Sequence, residues 1–244
     1  MSSQTPTLIT NLLIAELPRK ERIKFLMIGE PVELMVGDIL WEIDQPASYV
    51  YFPIGGFISL IATVDHHHPL ATTLIGNEGM LGATLALGVD EAPMRGIVQG
   101  SGTALRMSAA RWRRELRDSV NLSAILGRYL CVLIAQLGRS APCTCFHEIE
   151  PRLARWLLMA HDRAHADQFH LTHEMLADML GVRRSGISVA AGVLQEKQLI
   201  KYTRGGITVL DRKGLEGASC SCYLALVADY TKVFGVKVIS RLAA

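Results

Sequence analysis

The side chains with the clearest chemical task are Arg183, Arg184 and Ser185, followed one turn later by Ser188 and Val189. A guanidinium is a planar fork of donors that suits the edge of guanine, and short hydroxyls suit phosphate oxygens. Such residues at the exposed start of a helix would meet bases and backbone together. The surrounding charge points the same way. From Arg183 to Lys213 seven basic residues (Arg183, Arg184, Lys197, Lys201, Arg204, Arg212, Lys213) face two acidic ones (Glu196, Asp211), a local balance of +5. The whole chain of 244 residues carries only +2, so any attraction to a polyanion must come from this cluster.

Other residues could do chemistry but read more simply. The five cysteines, Cys131, Cys143, Cys145, Cys220 and Cys222, are odd in number and unevenly placed, which gives no disulfide framework and fits a reducing cytoplasm. Cys143, Cys145 and His147 stand where two helical segments join. Zinc needs four ligands in an established spacing, however, and Cys220 and Cys222 lie far along the chain. The cysteines are therefore expected to act as small apolar residues, with no metal. His66, His67 and His68, beside Asp65 and Pro69, read as a polar hairpin tip. No phosphate-binding loop, dinucleotide fingerprint, zinc-protease helix or nucleophile paired with a base is present, so an enzyme is not expected. Apolar runs such as Leu130 to Leu137 are short for a membrane span, and the N-terminus shows no basic start leading into an apolar stretch. The expectation is a soluble, unexported protein.

The elements that would present the arginines follow one another in residues 171 to 210. Thr172 can cap a helix that buries Met175, Leu176 and Met179, and Gly181 supplies a tight turn. A second helix from about Arg184 to Glu196 buries Ile187, Ala191 and Leu194. Small residues at Ala177 and Ala190 let the two helices cross closely. Leu199 to Tyr202 and Ile207 to Leu210 flank Gly205-Gly206 as a hairpin, a wing carrying Lys201 and Arg204. In this geometry the first turns of the second helix enter the major groove.

The front of the chain is of another kind. Eleven of the 21 glycines lie between Gly29 and Gly102. Tyr49 to Phe52, Phe57 to Val64, Leu70 to Leu74, Gly96 to Gln99 and Thr103 to Met107 are rich in β-branched and aromatic residues, which predicts short strands with tight turns in a small barrel or roll. A helical preface from Leu12 to Leu26, with a second start near Pro18, comes before them. A basic amphipathic helix, Ala109 to Arg117, comes after, then a long helix from about Leu122 to Ser140. On that helix Leu122, Leu126, Tyr129, Leu133, Gln136 and Ser140 alternate spacings of four and three. Periodicity leaves two readings equal: a dimer seam, or a face packed on the protein's own roll. Glu150-Pro151 then looks like a further helix start.

Residues 10 to 215 resemble the Crp/Fnr family of transcription regulators, most strongly in LTHEMLADMLGVRRSGISVAAGVLQEKQLI from Leu171. The resemblance implies an α+β chain: an N-terminal β-roll of the cyclic-nucleotide-binding-like jelly-roll kind, a long central dimerisation helix and a C-terminal winged helix-turn-helix. The implied domains are 1–117 for the roll with its preface, 118–145 for the dimer helix and hinge and 146–216 for the DNA-binding domain, and beyond the resemblance residues 217–244 look like a helical extension. Arg184 matches the family's base-reading arginine. Ser185 and Val189 replace the common Glu and Arg, so the operator is expected to differ from the best-known family sequence. Thr172, Arg183, Ser188, Lys201 and Arg204 complete the expected DNA contacts. Leu122, Leu126, Tyr129, Leu133 and Gln136 are the expected dimer contacts.

In the roll, YFPIGGFISL and IGNEGMLGATLALG resemble the family's strand and the opening of its phosphate cassette. A nucleotide-binding member would show Gly-Glu and, later, Arg-Ser, whereas here Gly82 precedes Ala83 and the later stretch is Ala92-Pro93-Met94-Arg95. A cyclic phosphate would lose charge-assisted bonds, so cyclic AMP is not expected and no cofactor is identified. Gly82, Ala83, Thr84 and Arg95 remain the candidate effector residues, with an anion as one candidate ligand. The implied partners are double-stranded DNA and a second copy of the chain, with RNA polymerase as a further candidate and no membrane. The competing reading is a ligand- or redox-sensing module whose C-terminal domain mediates protein contacts. Steep weakening of DNA binding by salt would separate the two.

Overall fold

The computed structural model describes residues 11–63, 69–203 and 206–235. His66, His67, His68 and Arg204 lie outside the described residues. The preface is two short helices, α1 (Leu12–Ala15) and α2 (Arg19–Ile28), with Asn11 capping the first and Pro18 at the N-cap of the second. Five antiparallel strands follow: β1 (Glu30–Leu34), β2 (Ile39–Trp41), β3 (Tyr49–Ala62), β4 (Leu70–Ile75) and β5 (Arg95–Ser108). They pair in the order β1-β5-β3-β4, with β2 also on β5. Two pairs of expected short strands are in fact continuous. Tyr49 to Phe52 and the part of the next expected strand from Phe57 to Ala62 merge into β3, and Gly96 to Gln99 and Thr103 to Met107 merge into β5. The glycines between them, Gly55, Gly56, Gly100 and Gly102, do not form turns. Gly55 lies among successive register shifts between the two strands, and such bulges bend and twist a sheet without ending it.

Two helices close the roll. Ser108 caps α3 (Ala109–Asp118), whose Trp112 is fully buried edge-on to Phe25 and Phe52. Ser119 caps α4 (Val120–Phe146), a 27-residue helix that runs through Pro142. Leu122, Leu126, Tyr129, Leu133 and Gln136 all lie on its buried side, at 7% exposure or less. Tyr129 donates to the Met80 carbonyl at 3.3 Å, and Gln136 accepts from the Thr73 hydroxyl at 2.7 Å. The row expected to bind a partner is therefore the row that packs on the protein's own roll. The sequence pattern was real, but the nearest apolar surface is intramolecular.

The C-terminal part begins with α5 (Ile149–Ala164) and continues through β6 (Gln168–His170), α6 (His173–Leu180), α7 (Arg184–Glu196), β7 (Ile200–Thr203) and β8 (Gly206–Val209). β8 lies between β6 and β7. Then come α8 (Arg212–Ala218) and α9 (Cys222–Phe234), which packs along α4 and α5 through Tyr223, Leu226 and Tyr230. Arg139 of α4 pairs with Asp229, and Arg128 stacks over Phe234. The described part of the expected helical extension, as far as Gly235, is thus folded back on the long helix.

One turn of the roll, residues 76 to 80, joins the preface, α4 and α5. Its Asn77 carbonyl accepts from Leu12 N, its Gly79 carbonyl accepts from Asn11, and its Met80 carbonyl accepts from Tyr129. Glu78 reaches Arg163 of α5, with Nε at 2.9 Å and the other contact at 2.6 Å, and both side chains are 1% exposed. Removing one partner of such a pair strands a charge in low dielectric and costs about 3–5 kcal/mol, whereas replacing both is far milder. Arg163→Met should therefore lower unfolding free energy in urea more than the double variant Glu78→Gln/Arg163→Met does. Equal losses in the two proteins would show that the pair is not the connection described.

Candidate nucleic-acid interface

The helix-turn-helix is built by local signals. The Thr172 hydroxyl accepts from Met175 N at 3.1 Å and caps α6. Gly181 closes that helix with φ 63°, a left-handed conformation that a side chain would strain, and a Cβ there would also press on Leu70 of the roll. Arg183 is then the N-cap of α7, and Ile187, Ala190, Ala191 and Leu194 are buried beneath it. Arg183, Arg184, Ser185, Ser188 and Val189 all face outward, with Val189 69% exposed. Ser185 and Ser188 therefore bring hydroxyls, and Val189 an apolar contact, to the face headed by Arg184. Lys201 is exposed on β7.

Sequence reasoning missed His173. Its ring stacks on Tyr202 of β7 at 4.0 Å, and its Nδ1 lies 3.0 Å from the Ser188 hydroxyl. Ser188 has one proton and donates it to the Arg184 carbonyl at 3.1 Å, so it accepts from His173 Nδ1. One imidazole thereby ties α6, α7 and the wing together, and Gln195 adds a bond to Tyr202 N at 2.9 Å. Burial, and then the charge of Arg184, lower the His173 pKa and favour the neutral ring. His173 and Ser188 stand fifteen residues apart on different helices, and no local motif signals that pairing.

The candidate effector residues divide. Gly82, Ala83 and Thr84 line a cavity of about 50 Å³ that Leu133 and Leu137 of α4 complete. Ligand pockets usually run to roughly 300–1,000 Å³, so a nucleotide does not fit this shape. Gly82 has a structural reason as well, with φ 110° and Val50 in the way of any side chain. Arg95 does not join the cavity. It pairs with Glu42 at 2.8 Å through both Nε and a terminal nitrogen, and that guanidinium heads the causes that hold the Glu42 carboxyl below the usual range. The expected anion contact from Arg95 is thus already taken by a carboxylate of the same chain.

Residues 151–218 match the model of the Crp-like helix-turn-helix domain. Comparison with curated proteins by sequence gives no match. Among solved structures, FixK2 from Bradyrhizobium japonicum superposes with a TM-score of 0.67 at 14% identity, covering 80% of this chain and 98% of that one. A transcriptional regulator of the CRP/FNR family from Thermus thermophilus gives 0.63 at 20% identity, with 78% and 98% covered. The c-di-GMP responsive global regulator CLP of Xanthomonas campestris gives 0.62 at 17%, with 79% and 99% covered. The chain carries a Crp-like helix-turn-helix domain on the fold of the Crp/Fnr regulators.

The geometry separates two kinds of contact. Arg184→Ala should cost about 1–3 kcal/mol on preferred DNA sequences and little on random DNA, while Lys201→Ala should weaken both alike and reduce the salt slope by about one. Fluorescence anisotropy across a salt series reads both effects. A uniform loss for Arg184→Ala would remove it from base reading.

Proposed function

We propose that this chain is a sequence-specific, DNA-binding transcription regulator that acts as a homodimer. The observation that carries the reading is the exposed Arg183-Arg184-Ser185 start of α7, set on a glycine turn and flanked by a wing inside a Crp-like helix-turn-helix domain. Arg184 reads a base edge, Ser185 and Val189 tune the neighbouring positions, and Thr172, Arg183 and Lys201 hold phosphates. Ser188 belongs to the same face, and its hydroxyl donates to a phosphate when it gives up its bond to the Arg184 carbonyl. Arg204 is part of the same proposal and lies outside the described residues.

A second row on α4 supports the dimer. Val120, Ala124, Gly127, Cys131, Ile134, Gly138, Ala141 and Cys145 alternate spacings of four and three, and every one of them is exposed. Val120 is 85% and Ile134 64% exposed, a large apolar cost for a lone helix in water. Small residues at four of these positions let two copies of α4 approach closely, as in a coiled coil. The helix has the length and apolar composition of a membrane span, but its apolar residues are divided between the roll on one side and this seam on the other. The roll's share of the proposal is effector sensing. The cavity beside Thr84, whose buried hydroxyl has no partner among the described residues, favours a small neutral molecule over an anion.

Ile134→Glu tests the seam without touching the core, because the side chain is outside it. Analytical ultracentrifugation should give twice the chain mass for the wild type and once for the variant, with specific DNA binding lost and helix content kept. A variant that stays dimeric, or a monomer that binds specific DNA as the wild type does, contradicts the proposal.

A further inference from the structure

Four residues that sequence spacing keeps apart meet where α4 ends. Cys143 and His147 sit four apart, on one face of the last turn of α4, and Cys220 and Cys222 flank the start of α9. Their three sulfurs and one imidazole nitrogen all lie within 4.8 Å of one another. Cys143 and Cys220 approach to 3.7 Å, as do Cys222 and His147 Nδ1. We propose that Cys143, His147, Cys220 and Cys222 form a tetrahedral site for one zinc ion, which fastens the C-terminal helix across the hinge between α4 and α5.

Geometry argues for a single ion. With zinc–sulfur bonds of about 2.3 Å, a tetrahedron sets its sulfurs ~3.8 Å apart, and a zinc–nitrogen bond of about 2.1 Å gives a slightly shorter edge. Both 3.7 Å approaches match such edges. Sulfurs crowded this closely cannot each hold a different iron of a cluster. Three sulfurs and one imidazole are a closed structural set for zinc and leave no open position for substrate.

The charge around the site argues independently. Arg152 and Arg155 of α5 are buried, at 6% and 5% exposure, and an Arg155 terminal nitrogen lies 3.3 Å from Cys143 Sγ. Arg155 Nε is buried with no hydrogen-bond partner among the described residues. Arg152 donates to the Leu180 carbonyl, and among the described residues no carboxylate forms an ion pair with Arg152 or Arg155. Neutral thiols would leave two desolvated cations uncompensated, which is costly. Three thiolates around a divalent ion carry one net negative charge, and the guanidiniums supply the counter-charge beyond the ligands. Binding releases the thiol protons to solvent, and no electron moves.

The site joins three segments. His147 is the C-cap of α4, Cys220 N donates to the Pro151 carbonyl of α5 at 3.1 Å, and Cys222 opens α9. An ion there would couple the long helix to the DNA-binding domain through α9. Cys145 and Cys131 are exposed and take no part.

Metal analysis of the full chain, purified with reductant and without added metal, tests the inference apart from any DNA. The expected result is one zinc per chain, kept in Cys145→Ser and lost in Cys220→Ser/Cys222→Ser. Since those variants could unfold, wild type stripped by a chelator is also titrated with cobalt. A tetrahedral cobalt–thiolate spectrum that one equivalent of zinc abolishes is expected, with faster amide exchange in α9 when the metal is gone. No stoichiometric metal and no such spectrum, a Cys143 to Cys220 disulfide in protein purified without reductant, or full metal content in the double variant would overturn it.

Discussion

The buried pair of Glu78 and Arg163 fixes how the two halves of the molecule sit. An arginine on α5 and a glutamate on a turn of the roll are both withdrawn from water, and neither charge is tolerable there without the other. The same turn accepts hydrogen bonds from the preface and from α4. Any movement of the DNA-binding domain away from the roll must break or carry this pair, and any shift of α4 is felt one residue or two away. Coupling between the cavity at Gly82 to Thr84 and α7 would therefore run through residues 76 to 80 and α5, because Met80 of that turn lines the cavity, Glu78 holds Arg163 of α5, and α5 packs on α7.

The long helix depends on the same packing. Its inner row, from Leu122 to Gln136, completes the core of the roll, and this leaves exposed a different row from Val120 to Cys145, the one proposed to face a second copy. Because α9 lies along it and Arg139 pairs with Asp229, the helix also supports the C-terminal extension. One helix thus serves the core, the proposed seam and the hinge on separate faces. That division explains its unusual apolar content better than any one role does.

What was legible in the sequence is what short-range physics determines. The Thr172 cap, the Gly181 turn and the bounds of α7 come from residues within one or two turns of each other, and they stand where the pattern put them. On α4 the spacing of four and three was correctly seen, but a helix can carry two such rows, and only the fold says which one the roll covers. In the strands, glycines that could end a strand instead bend it, since β3 and β5 remain paired across the bulges. His173 with Ser188, Glu78 with Arg163, and the four residues around Cys143 are long-range meetings. No local periodicity encodes them, so they became visible only with the coordinates.

The account stands most directly on sequence-specific recognition by two symmetric copies. Selection of bound fragments from a random DNA library measures that recognition with no target chosen in advance. The account predicts inverted repeats whose half-sites are centred about one helical turn, roughly 34 Å, apart. Enrichment of a single unpaired element, or no enrichment over the input library, would contradict it.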